Sequence, residues 1–447
     1  MAQATKKEEL VGISPETNRS VDQRIDSLFG KISWDVASIL DKALCGTDIS
    51  PEEGARLLGT TGMEYTATCA VADELRERTN GNLVTYVVNR NINFTNVCIK
   101  RCGFCAFSRD FRQEEGYFLP VSEIILRAKE AMEYGATEVC IQAGLPPQME
   151  GDLYVKLCQA LKEELPELHI HGFSPEEVLY GSVRSKCTIK DYLQQLLEAG
   201  VGSLPGTSAE ILDQELRDVI SPGRISVQQW TEVITEAHRM GIPTTSTVMF
   251  GHVETHLHVA NHIELIRNIQ GCTGGFTEFV PLSFVHAEAP MFLQNISGGP
   301  MKQGPTAMDV MKVHAVSRIM LNNWIPNIQA SWVKEGSKMC QMLLNAGVND
   351  LGGTLINESI STSAGATHGQ LMRPGEFKDM IREAGRIPAE RLTNYQIKSV
   401  DLGSETNHSL LDQVGADVEK IFGSYSLLAK SDDFRFSHPK EKPANVE

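Results

Sequence analysis

Residues 121–144, VSEIILRAKEAMEYGATEVCIQAG, decide the fold. The first part reads as an amphipathic helix closed by Gly135, since glycine suits the left-handed position just past a helix end. ATEVCIQAG (136–144) then reads as a strand. The same alternation runs on: helix 152–165, strand LHIHGF (168–173), helix 189–200 and short strand VGSLPG (201–206). It continues with helix 227–241, strand IPTTSTVMFG (242–251), helix 258–270 and strand GFTEFVPLSF (275–284). Helix 306–321, strand IPNIQASW (325–332), helix 337–347 and VNDLGG (348–353) complete it. Strands separated by helices of this length are βαβ units, which pair in parallel. Counted from Val84, where a β-rich run extends to Val97, there are about eight units, and eight close into a (β/α)8 barrel.

The rest of the chain frames that barrel. Residues 1–20 are polar, and helices are expected from Val21 to Thr79. One of them begins at Ser50 as N-cap with Pro51 in the first turn. The expected division is 1–83 for the N-terminal tail and helical segment, 84–400 for the barrel and 401–447 for a charged C-terminal appendage. Lys and Arg total 41 against 57 Asp and Glu, a net charge of −16, which argues against nucleic acid and anionic membranes as partners. No run reaches the ~20 apolar residues that span a bilayer. The N-terminus has no apolar leader, so the cytoplasm is the expected location.

Three of the ten cysteines fall together in NVCIKRCGFCAFSR (96–109), just beyond the first strand. Cys98, Cys102 and Cys105 have the spacing C-x3-C-x2-C. Thiolates are soft ligands suited to iron–sulfur clusters. Three of them can hold three irons of a [4Fe–4S] cube and leave the fourth open. A zinc site is the competing reading, but it needs a fourth ligand that this stretch does not offer. Cys69, Cys140, Cys158 and Cys340 read as small buried hydrophobes. Barrel active sites lie at the C-terminal ends of the strands, where this loop falls.

With Phe104 before the last cysteine, the motif resembles the radical SAM superfamily signature. That resemblance implies a cluster that cleaves S-adenosylmethionine to a 5′-deoxyadenosyl radical. EVCIQAGLPP (138–147), LHIHGFSPEEV (168–178), SLPGTSAEIL (203–212) and TTSTVMFGHVET (244–255) look like a narrower group. This group comprises the tyrosine-dependent 4-hydroxybenzyl transferases of deazaflavin (FO) synthesis and the menaquinone-pathway enzymes acting on futalosine-type nucleosides. GFTEFVPLSFVH (275–286), NIQASWVK (327–334) and NDLGGTL (349–355) are most similar to the transferases, also called FO synthase subunit 2. The resemblance implies transfer of a 4-hydroxybenzyl group from L-tyrosine to 5-amino-6-(D-ribitylamino)uracil. It also implies an electron donor and a partner radical enzyme, FO synthase subunit 1. A cluster-binding protein without catalysis is the alternative outside enzymes. One departure stands out: where the family has Q-G-G-L-H-P, this chain has Gln142, Ala143, Gly144, Leu145 and Pro146.

Other strand-end residues are candidates. Toward S-adenosylmethionine these are Phe104, Gln142, Gly144, Ser174, Glu176, Gly206, Thr207, Glu210 and Arg224. Ser174 also reads as a helix N-cap, and Glu210 as part of a helical first turn. Toward the substrate, His169 and His171 share a side of one strand. His252, Glu278 and His286 follow. Asn327 and Gln329 share a face, and Asp350 is expected to end the last strand beside Gly352 and Gly353. Glu278, between Phe276 and Phe279, needs a partner if buried.

Overall fold

The computed structural model describes residues 25–294, 301–403, 409–415 and 418–438. The expected polar tail over 1–20 and the last residues of the C-terminal appendage lie outside the described residues. Among the described residues, the helices Trp34–Leu44, Pro51–Leu58 and Gly62–Asn80 lie ahead of the first strand. The second starts as the sequence suggests. Ser50 Oγ accepts from the Glu53 amide (3.2 Å), and the Glu53 carboxylate accepts from the Ser50 amide (2.7 Å).

The barrel strands are β1 (Leu83–Val87), β2 (Asn89–Ile92), β3 (Glu138–Ile141), β4 (His169–His171), β5 (Thr244–Phe250), β6 (Phe276–Ser283) and β7 (Asp350–Gly353). β1 and β2 are two halves of one strand interrupted at Val88. Two further positions are reduced to single parallel bridges around Ser203–Leu204 and Ile328–Gln329. Pro205 has no N–H with which to extend the first of these. Parallel pairings run from β2 through β3 and β4 to Ser203, from Leu204 to β5 and β6, then through Ile328 and Gln329 to β7. β7 pairs in parallel with β1 and closes the ring, giving the expected α/β barrel. Val139, Ile170, Leu204, Val248, Phe279, Ile328 and Leu351 are fully buried on these strands.

After the last barrel strand and the helix Pro374–Glu383 comes a hairpin that sequence patterning does not reveal. Its strands are β8 (Ile387–Arg391) and β9 (Ile397–Val400). β8 runs parallel to β1 on the edge opposite β7, and β9 returns antiparallel to β8. The hairpin tip turns beneath the N-terminal end of the barrel and sends Arg391, Thr393 and Tyr395 toward the lumen. Arg391 meets Asp350 through two nitrogens (Nε–Oδ2 2.6 Å, Nη2–Oδ1 3.0 Å) and Glu278 Oε2 at 3.3 Å. The Tyr395 hydroxyl donates to the same Glu278 oxygen, and the Arg391 guanidinium lies 4.0 Å from the Tyr395 ring centroid. Thr393 donates to Glu138 Oε2 (2.5 Å).

Asp350 therefore begins β7 rather than ending the last strand, and its carboxylate is saturated. It also accepts from the Thr85 hydroxyl and, at 2.8 Å, from the Gly352 amide. Glu278 has the buried partner that its sequence setting requires.

Arg391→Met removes the cation while leaving Asp350 and Glu278 buried. The expected loss is about 3–5 kcal/mol of stability, read as a lower midpoint in chemical denaturation.

Candidate active site

Two connected cavities occupy the barrel axis. The upper one, about 240 Å³, opens at the C-terminal strand ends, and the lower one, about 190 Å³, fills the lumen. Gln142, Thr207, Thr247 and Leu282 line both and mark where they meet.

Cys98, Cys102 and Cys105 all line the upper cavity. Their loop is held by backbone hydrogen bonds to three neighbours. Ile99 N donates to Leu145 O (2.8 Å), Gly103 N to Ile220 O (2.8 Å), and Met291 N to Gly103 O (2.7 Å). The C-terminal segment straps the far side of the loop. Phe118 N donates to Phe434 O and Phe436 N to Gly116 O, both at 2.8 Å, while the Tyr425 ring packs 5.3 Å from Phe107. The expected appendage is thus part of the cluster loop's support.

Burial pushes the Cys98 and Cys102 thiols up, with Arg224 pulling both the other way. Thiols so placed ionise when a cation compensates them, which iron supplies. Among the described residues, no three His, Cys, Asp or Glu side chains converge as a lone metal ion would require. In a cubane each thiolate takes a separate iron, so three cysteines lining one cavity are a donor set that fits a [4Fe–4S] cluster.

Beside the cysteines lies a paired set of charges. Arg224 Nη1 donates to Glu210 Oε1 (2.8 Å), Nη2 to Ser208 Oγ (2.7 Å) and Nε to Glu176 Oε2 (3.4 Å). Its guanidinium also stands 5.6 Å from the Phe104 ring centroid. Lys100 Nζ lies 3.1 Å from Glu176 Oε1, and Arg217 Nη1 lies 3.3 Å from Glu210 Oε2. Glu210 is not in a helical first turn, because the helix begins at Gln214 with Asp213 as its cap. Glu210 has a positive φ of 41° and is compensated by the two arginines rather than a helix dipole.

Ser174 is the helix N-cap that its sequence setting suggests. It caps the helix Pro175–Ser185 reciprocally with Glu177, and it lines the upper cavity. Glu177 also accepts from the Ala143 amide (2.9 Å), and burial pushes its carboxyl up to about 7. Gly144 is required by space: a Cβ there would stand 2.3 Å from the Val97 carbonyl oxygen. Gly206 lies in the wall against Thr245, whose carbonyl oxygen would be 2.0 Å from an added Cβ.

The substrate candidates separate. His171, Glu278 and Gln329 line the lower cavity, and Gln329 Nε2 donates to Glu278 Oε2 (3.1 Å). Burial beside Asp350 lifts Glu278 to about 7 although Arg391 pulls the other way. His169 lies outside both cavities but shares Ser203 with His171, each within 2.8 Å of that hydroxyl. His252 is sealed below the mouth against Met249 O (3.1 Å) and Glu254, and lines neither cavity. Asn327 instead supports the strand ends, donating to Thr277 O (2.9 Å) and accepting from Asn349 (3.0 Å). His286 lines a side pocket next to the mouth. Cys140, expected to be buried, faces the lumen, whereas Cys69, Cys158 and Cys340 are buried. Lys100, Glu177, Arg391 and Thr393 were not singled out in the sequence. Neither was Lys334, which lines the mouth. Lys100, Arg391 and Thr393 owe their places to a loop or hairpin path that periodicity does not report, whereas Glu177 and Lys334 lie in helical first turns.

Residues 92–266 match the family model for the radical SAM superfamily, and residues 273–403 match that for the CofH/MqnC C-terminal region. A 5-amino-6-(D-ribitylamino)uracil–L-tyrosine 4-hydroxyphenyl transferase from Methanothermobacter thermautotrophicus is 48% identical over 80% of this chain and 96% of that protein. Its counterpart from Methanocaldococcus jannaschii is 50% identical over 73% and 90%. An FO synthase from Nocardia farcinica is 45% identical over 78% of this chain but only 40% of its own length. Among solved structures, the FeFe-hydrogenase maturase HydG from Carboxydothermus hydrogenoformans superposes with a TM-score of 0.62 at 16% identity, covering 84% of each chain. Methylornithine synthase superposes at 0.58 and 20% identity, covering 78% of this chain and 95% of that one. These two likenesses speak to the fold alone.

His171 supplies a pH test. Burial pushes it down to about 4, against the pull of Glu138. The unfolded chain therefore binds a proton that the folded one refuses between about pH 6.5 and 4, and stability falls as pH falls through that window. In His171→Gln, denaturation midpoints measured across the window should decline less steeply, by up to one proton's worth of slope.

Proposed function

The chain belongs to the radical SAM superfamily and, within it, to the family of 5-amino-6-(D-ribitylamino)uracil–L-tyrosine 4-hydroxyphenyl transferases. From that premise we propose that it joins the 4-hydroxybenzyl group of L-tyrosine to 5-amino-6-(D-ribitylamino)uracil, a step of deazaflavin synthesis. The observation that carries this reading is a three-cysteine mouth opening directly onto a polar lumen. When bound, the [4Fe–4S] cluster supplies the electron that cleaves S-adenosylmethionine into methionine and a 5′-deoxyadenosyl radical.

Cys98, Cys102 and Cys105 hold the cluster. Glu176, Glu210 and Arg224 face the polar groups of S-adenosylmethionine, with Phe104, Gln142, Ser174 and Thr207 around it. Gly144 lets its strand-end loop pack directly on the Val97 backbone that leads into the cluster loop. Below them, His171, Glu278 and Gln329 offer neutral and acidic hydrogen-bonding groups to a pyrimidine or a polyol. Burial lifts the Glu278 carboxyl toward neutral pH, which favours a proton on it that could be donated to a ligand. The network of Arg391, Asp350 and Tyr395 holds Glu278 in place and keeps bulk water from the lumen floor.

A one-electron donor of low potential and a second radical SAM activity, FO synthase subunit 1, complete the reading. The Nocardia FO synthase supports the latter, since this chain matches only 40% of it and the remainder has room for another activity. Among the described residues no helix is long and apolar enough to cross a membrane. A cytoplasmic location is part of this proposal. The menaquinone alternative draws no support from the named transferase relatives.

Cluster-loaded protein given ring-labelled tyrosine and the ribityl-uracil should yield a product carrying the labelled C7 fragment, identified by mass. A product without ring label would remove the reading. Cys102→Ala should lose both the cluster's visible absorbance and tyrosine-dependent 5′-deoxyadenosine.

A further inference from the structure

Three cationic side chains line the upper cavity: Lys100, Arg224 and Lys334. The first two are neutralised by Glu176 and Glu210 at 2.8–3.4 Å. Lys334 is different. Among the described residues its ammonium has no carboxylate within 4 Å and no hydrogen-bond partner, although it is half-buried. Glu335 is occupied with the Ser283 amide (3.3 Å), and Glu358 with the amides of Ser361 (2.6 Å) and Thr362 (3.2 Å). Burial lowers the pKa of Lys334, while the negative charges of Glu358, Glu335 and Cys105 pull it back up without forming an ion pair.

The backbone fixes where that charge points. Lys334 follows the seventh strand position (Ile328–Gln329) in a single helical turn. Trp332 Nε1, donating to Gly353 O (2.8 Å), ties the start of the turn to β7. Gly336, at φ 75°, breaks the helix immediately after, and a Cβ there would strike the His368 ring at 2.8 Å. The third and fourth strand positions of an eight-membered ring, which carry Glu176, Glu210 and Arg224, lie across the barrel from the seventh. An anion that Lys334 receives therefore enters from the side opposite the cofactor-facing charges.

We infer that Lys334 binds the α-carboxylate of the amino-acid substrate and so sets the enzyme's preference for an amino acid over the corresponding amine. This rests on the tyrosine reading above. A carboxylate is the anion that an amino-acid substrate brings, and a single flexible ammonium meets it with a charge-assisted hydrogen bond. It also orients the zwitterion with its side chain toward the lumen.

The test compares L-tyrosine with tyramine, which lacks only the carboxylate, in the wild type, Lys334→Met and Lys334→Arg, following 5′-deoxyadenosine formation. The wild type should half-saturate with tyrosine at a concentration about 10–100-fold below tyramine, as loss of a charge-assisted hydrogen bond implies. In Lys334→Met the tyrosine value should rise to meet that of tyramine, which stays the same or improves. Lys334→Arg should recover part of the preference. The change in the reduced cluster's paramagnetic resonance on adding S-adenosylmethionine verifies folding and cofactor binding in each variant. A tyrosine preference undiminished in Lys334→Met overturns the proposal while leaving the tyrosine reading intact. A Lys334→Met variant that loses the S-adenosylmethionine response places the lysine on the cofactor's carboxylate instead and also overturns it. Wild-type protein without tyrosine-dependent 5′-deoxyadenosine overturns the reading beneath it.

Discussion

A guanidinium inside a barrel is the constraint on which this structure turns. Arg391 is 3% exposed and sits between Asp350 and Glu278, in surroundings where an isolated charge would be prohibitive. Two nitrogens on Asp350, one on Glu278 and a ring against its face distribute that charge over partners from β7, β6 and the hairpin turn. The arrangement couples parts of the chain more than a hundred residues apart. β7 cannot shift in register without taking Asp350 from Arg391, and the hairpin cannot withdraw without exposing two carboxylates to each other.

At the other end of the barrel, the same physics is solved differently. Arg224, Lys100, Glu176 and Glu210 neutralise one another beside the cysteines, so the wall facing the cofactor is polar yet nearly charge-balanced. That balance suits a ligand such as S-adenosylmethionine, which brings charges of both signs. The cluster loop has little regular structure of its own. Its shape comes from backbone hydrogen bonds to Leu145, Ile220 and the Met291 segment, and from the C-terminal strap through Phe434 and Phe436.

The β/α rhythm and the cysteine spacing were legible because each is local: periodicity lies within one helix, and C-x3-C-x2-C within one loop. The Ser50 and Ser174 caps were legible for the same reason. The lumen was only half legible. His171, Glu278 and Gln329 face it, but alternation along a strand does not tell which side becomes the inside, so His169 and Asn327 were indistinguishable from them. Asp350 looked like a strand terminus because glycines follow it, while its true partner, Arg391, lies in a hairpin with no patterned signal. Glu210 looked helical from its neighbours, but Pro205 and Arg217 direct the chain through a loop before the helix begins.

The hairpin turn beneath the barrel has a kinetic meaning. With Arg391, Thr393 and Tyr395 crowded at the floor, the passage shared with the upper cavity is the neck of the lumen. Molecules that react together inside it must load in sequence, the deepest first, and the cofactor bound at the neck acts as the stopper. Such a topology imposes an order on binding without any moving lid, and it confines the reactive species to the interval when the neck is occupied.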